Sequence, residues 1–156
     1  IELPQRSGAK PTTTDTNPHR QLDQNPPAQT YDLLKQKAFE FPLIERRPSI
    51  RSVFGSEALW LTERPEHSCS EAFIAGNEFA HVHPPSDGSM HMTLPFEQVS
   101  ELFKKGWGEQ HPMALLGRAP MTAVMVFGPR DIDEIDIAVQ LLDISRQFAN
   151  GNPPRP

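Results

Sequence analysis

Cysteine is almost missing. Cys69 stands alone in 156 residues, which excludes an intrachain disulfide and a structural zinc site built on thiolates. Its neighbours Ser68 and Ser70 offer no activating base, so it reads as a small, partly buried side chain rather than a nucleophile. Long apolar runs are missing too: none approaches the ~20 residues of a membrane-spanning helix, and no charged stretch followed by an apolar one marks a signal peptide. The chain begins at Ile1 rather than Met, so an upstream segment such as a signal or anchor is expected outside this numbering. Basic runs never exceed the pairs Arg46-Arg47 and Lys104-Lys105. With a formal charge of −5, this argues against nucleic acid as a partner, because phosphate binding needs a basic face. There is no Gly-x-Ser-x-Gly elbow, phosphate loop or dinucleotide fingerprint, so a serine hydrolase, a kinase and a nicotinamide enzyme have no residue basis.

Proline is what the chain has in excess. Its 17 prolines are densest at the two ends. Residues 1–29 are expected to form a proline-rich, mostly irregular arm, disordered or strapped across the domain, and 150–156 a proline-rich tail. Between them, 30–149 has the length of one domain with one core. Within it, Thr30 is expected to cap a helix whose buried side carries Tyr31, Leu34 and Ala38, ended by Pro42. Short strands are expected at Ser49–Val53, Ala58–Leu61, Ala72–Ile74, Phe79–His83 and Met90–Leu94. Pro95 opens a second helix that Gly106 stops. Thr122–Phe127 reads as a strand, and a last helix starts near Asp131. The order implies an α+β fold: a small antiparallel sheet with two longer helices packed on one face.

Chemistry concentrates between Glu78 and Pro112. His81 and His83 fall on one strand face because strand side chains alternate, and His91 comes within reach across the Pro84-Pro85 loop. His111 follows Gly106-Trp107-Gly108. Three imidazoles offer a site for Zn²⁺, Fe²⁺ or Mn²⁺, with Asp87, Glu78 or Glu109 completing the shell. A glutamate at the spacing a cupin needs is absent, and the alternative is that the histidines bind loop carbonyls and hold the proline loop. Trp107 is either the wall of a pocket or a cap on the core. Lys104 is either a solvated helix end or a cation for a bound anion.

Glu78-Phe79-Ala80-His81-Val82-His83, then Asp87, Met90-His91, Lys104-Lys105-Gly106-Trp107-Gly108, His111-Pro112 and Phe127-Gly128-Pro129-Arg130 closely resemble the core of the fungal luciferase family. The resemblance implies oxidation of an enolic or hydroxylated aromatic compound by O₂ without metal or organic cofactor. The sequence departs from the luminous pattern at Glu109-Gln110, where a Gln-Arg pair is expected, so light emission is not expected. The expected catalytic set is His81, His83, His91 and His111, one acting as general base. Trp107, Asp87, Glu78, Glu109 and Lys104 are expected around a small-molecule ligand. A binding module with structural histidines, and a metal-dependent enzyme on the same residues, remain the alternatives. The binding-module reading expects the domain to stay folded once the arm is removed.

Overall fold

The computed structural model describes residues 1–152, so most of the proline-rich tail lies outside the described residues. Six strands form one antiparallel sheet: β1 (Ile44–Pro48), β2 (Glu57–Leu61), β3 (Glu78–Val82), β4 (Met90–Thr93), β5 (Gly108–Gln110) and β6 (Ala123–Val126), in the order β1-β2-β3-β4-β6-β5. The helices are α1 (Ala28–Ala38), α2 (Phe96–Lys104), α3 (Pro112–Leu115) and α4 (Ile132–Ala149). The fold is α+β, with the helical layer on one face of the sheet.

Alternation decides which side chains meet the helices. Ala80 and Val82 of β3 pair with Met92 and Met90 of β4, which pair with Val124 and Val126 of β6. These six join Leu141 and Leu142 of α4 in one buried cluster. Each fully buried aliphatic side chain stabilises the fold by roughly 1.5–3 kcal/mol relative to exposure. α2 lies over the same face at the β5 edge. Gly108 opposes Val126, and a Cβ there would sit 2.2 Å from the Met125 carbonyl oxygen and 2.6 Å from Leu102 Cδ2, so the bare position lets both the neighbouring strand and α2 come close. α2 stops where Gly106 turns to φ 81°, and Trp107 N–H then donates to the Leu102 carbonyl at 3.0 Å.

Several elements differ from the sequence expectation. β1 is Ile44–Pro48, and Ser49–Val53 is a loop, because Pro48 ends the pairing at Glu57. Ala72 closes a 3₁₀ turn, Ser70–Ala72, rather than opening a strand; only Ile74 and Ala75 reach back to Glu78. α1 begins at Ala28 behind Pro27, not at Thr30. The edge strand β5 and the single turn α3 carry too few residues to show a period.

The N-terminal residues form no strand or long helix, yet they are seated in the fold. Leu3 is 2% exposed, Arg6 5% and His19 3%. Leu3 N–H donates to Glu101, and Trp107 Nε1–H donates to the Pro4 carbonyl at 2.6 Å. Gln21 Oε1 accepts from the Gly128 N–H at 2.8 Å. Just before Gln21, His19 brings the arm onto the sheet face opposite the helices.

Candidate functional site

That second face carries His81 and His91 by ordinary alternation and gains Glu78 through a register detail. Ala58 opposes His81 and Leu59 opposes Ala80, but Trp60 opposes Glu78, so one residue of β3 is skipped at Phe79. This bulge turns Glu78 away from the core and onto the face of His81, while Phe79 packs into the core. Across the sheet, His91 opposes His81 and Met125, and Glu109 of β5 opposes Met125. Glu78, His81, His91 and Glu109 therefore share one face. His83 follows β3 and extends the ladder, its N–H donating to the Ser89 carbonyl at 2.9 Å.

The imidazoles are linked. His81 Nδ1 lies 2.8 Å from Glu78 Oε2, and His81 Nε2 lies 3.0 Å from His91 Nδ1. His91 Nε2 lies 2.8 Å from His19 Nδ1, and His19 Nε2 faces Glu109 Oε2 at 3.7 Å. His83 Nδ1 meets Ser89 Oγ at 2.8 Å and Asp87 Oδ2 at 3.2 Å, while its Nε2 is buried with no partner among the described residues. His111 caps α3: its Nδ1 accepts the Met113 N–H at 3.0 Å. A neutral His111 therefore carries its proton on Nε2 and presents a donor.

Burial governs the charges. It holds His81 below the ordinary imidazole range despite the bond to Glu78, and holds His91 far below, reinforced by its histidine neighbours. His111 is pushed down to about 4 for the same first reason, so it is neutral near pH 7. Burial alone would raise Asp87 and Glu109, but hydrogen bonds from His83 and Ser89 to the first, and from His19 and Thr13 to the second, outweigh it and lower both.

A cavity of about 610 Å³ opens onto this face, floored by His81, His91 and His111 and walled by Ile50, Phe54, Ile74 and Met113. Three arginines, Arg20, Arg51 and Arg118, line it, and among the described residues none of them pairs with a carboxylate.

Of the residues singled out from sequence, His81, His91 and His111 reach the cavity. His83, Asp87 and Glu78 sit behind the floor, and Glu109 is held beyond His19. Trp107 lies under α2, its indole committed to the arm, and Lys104 is an exposed residue of the last turn of α2; neither lines the cavity. His19 and the three arginines were not foreseen. They come from the arm and two loops, where no local spacing ties them to a strand.

Residues 76–145 match the family model described as Luciferase domain. Over 97% of its length the chain is 26% identical to the luciferases of Armillaria ostoyae and Armillaria gallica, and it spans 63% of the length of those proteins. It is 30% identical over 49% of its length to the luciferase of Neonothopanus nambi, spanning 29% of that protein. No solved structure matches.

Proposed function

The chain carries a luciferase-like domain, and from that premise we propose that its histidine-floored cavity binds a small enolic or phenolic compound in its ionised form and presents it to O₂. The observation that carries this reading is the meeting of His111, whose Nδ1 accepts the Met113 N–H, and three arginines with no carboxylate partner among the described residues around one cavity with apolar walls. Such a compound is planar and weakly acidic. The walls remove its ring from water, and the Nε2–H of His111 with the guanidinium groups of Arg20, Arg51 and Arg118 favours the anion over the neutral form.

Ionisation is the useful step. An enol or phenol reacts sluggishly with O₂, whereas its anion can supply the electron pair for a new C–O bond. The proton leaves to water through the open mouth. Carbon then bonds to one oxygen, O₂ is reduced by two electrons, and the peroxide takes up a proton, so that S⁻ + O₂ + H⁺ gives S–O–O–H. The arginines also neutralise the charge that moves onto oxygen. No further co-reactant is required for this balance.

Oxygen-electrode assays with a panel of hydroxylated pyrones and phenols test the proposal. The chain should consume O₂ with at least one enolic member. His111→Phe, which keeps a ring but loses the donor, should lower kcat by about 10²-fold, the usual cost of one anion-stabilising donor. Uptake unaltered in His111→Phe, or none with any member of the panel, would contradict the reading.

A further inference from the structure

We infer that His81, His83 and His91 form a three-histidine site for a divalent transition-metal ion, with its open coordination position facing the cavity. The inference deepens the proposed function in placing a Lewis acid beside the bound anion, and it rests on that reading only for the cavity's role.

The first ground is convergence. One nitrogen from each of the three rings lies within 4.8 Å of the other two, and all three residues are buried. The ring centroids are 5.1 Å apart for His81 and His83, 4.7 Å for His83 and His91, and 5.0 Å for His81 and His91. His81 Nε2 and His91 Nδ1 meet at 3.0 Å, and because Ser89 and Asp87 hold His83 Nδ1, the nitrogen His83 has left to offer is Nε2.

The second ground is what holds the opposite nitrogens. His81 Nδ1 is set against Glu78, His83 Nδ1 against Ser89 and Asp87, and His91 Nε2 against His19 Nδ1, whose own Nε2 faces Glu109. A metal-binding histidine ordinarily donates its outer N–H to a carboxylate or another acceptor, which fixes the tautomer and turns the lone pair inward. Here every one of the three has such an acceptor, and two of them end on carboxylates directly.

The third ground is proton accounting. Without a cation, the His81–His91 bond requires a proton on one of the two inner nitrogens. If it sits on His91 Nδ1, then His91 Nε2 must accept from His19 Nδ1, and the bare His19 Nε2 is left facing the Glu109 carboxylate. If it sits on His81 Nε2, the bare Nδ1 is left facing Glu78. An added proton on Glu78 or on one imidazole settles the chain but leaves His83 Nε2 buried and unpartnered. A cation at the centre uses all three inner lone pairs at once. Every outer nitrogen can then carry a proton towards an acceptor: His81 to Glu78, His83 to Asp87 and His91 to His19, whose own Nε2–H faces Glu109 Oε2 at 3.7 Å.

A second trio, His19, His91 and His111, also has converging nitrogens. It fails on the same accounting, since His111 spends its Nδ1 lone pair on Met113 N–H and keeps a proton on Nε2. Three imidazoles with one position left open suit Zn²⁺, Fe²⁺ or Mn²⁺ in a catalytic rather than a structural role.

The probe is Zn²⁺, titrated calorimetrically into the full chain purified without a histidine tag and stripped with chelator. One zinc per chain should bind. Asp87→Asn should weaken binding about 10–100-fold, the usual cost of an outer partner, and His83→Gln by more than that. His111→Phe should bind as the parent does. Should His83→Gln fail to fold, nitrogen-15 spectra of the parent's imidazoles decide: zinc should shift His81 Nε2, His83 Nε2 and His91 Nδ1 and convert them to unprotonated, metal-bound nitrogens. Substoichiometric zinc, parent-like affinity in a folded His83→Gln, or a loss confined to His111→Phe would overturn the site. Failure of zinc to bind while an enolic compound still occupies the cavity sinks this inference alone; zinc bound with no enol accepted by the loaded or stripped protein sinks the proposed function instead.

Discussion

At the scale of single residues, the polar face depends on positions that alternation alone misplaces. Counting back from Val82 by twos puts Glu78 in the core with Ala80. The skipped residue at Phe79 puts it beside His81 Nδ1 instead. The shared face of His81 and His91 was legible from sequence, because period-two alternation and a short loop require it. The partnership of His91 with His19, 72 residues away, was not: an isolated histidine in an irregular arm carries no period. Gly108 shows the same limit, since its spacing beside Trp107 suggests a turn, whereas its role is to admit Leu102. A Cβ at Gly108 would meet Met125 O at 2.2 Å and Leu102 Cδ2 at 2.6 Å. Gly108→Ala should therefore destabilise the protein by about 1–3 kcal/mol, the usual cost of overpacking. Urea denaturation measures it, and a midpoint equal to the parent's would refute the close packing of β6 and α2 around Gly108.

Among the elements, α1 has the clearest tie to the site. Tyr31 OH donates to the His83 carbonyl at 2.7 Å, so the helix fixes the backbone just where β3 gives way to the Pro84-Pro85 loop. Burial, with Glu57 nearby, raises the Tyr31 hydroxyl to about 12 from 10.0. Between those values the unfolded chain has lost the proton and the folded chain still holds it. Tyr31 thus contributes stability that is fully present below pH 10 and lost as pH rises towards 12. Thermal melts across that interval should fall more steeply for the parent than for Tyr31→Phe, which at pH 7 should be less stable by about 1 kcal/mol. Parallel pH profiles would remove Tyr31 from this role. Long elements were legible because they repeat a period: α2 and α4 sit where Phe96–Phe103 and Ile135–Phe148 place them. Of the elements of three to five residues, β2, β3, β4 and β6 fall where strands were expected, whereas β1 and β5 do not, since pairing across the sheet sets their limits.

For the whole molecule, the arm and the sheet form one structure. Leu3 is packed into the core, Gln21 accepts from Gly128 N–H, and His19 completes the line from Glu78 to Glu109. The density of prolines and polar residues showed an arm without strands, but its seat on the polar face depends on contacts more than sixty residues apart. No helix among the described residues is long and apolar enough to cross a membrane. The central claim is that the cavity over His81, His91 and His111 is where the small molecule binds, and six histidines make it directly measurable. Imidazole nitrogen-15 and ring-proton spectra should be recorded while triacetic acid lactone, an enolic pyrone, is titrated into the full chain near neutral pH. Signals of His81, His91 and His111 should shift together and saturate, with His67, which packs beside Gly151 away from the cavity, staying fixed as the internal control. Saturating shifts confined to His67, or none in the three cavity histidines up to the solubility limit of the pyrone, would contradict the account.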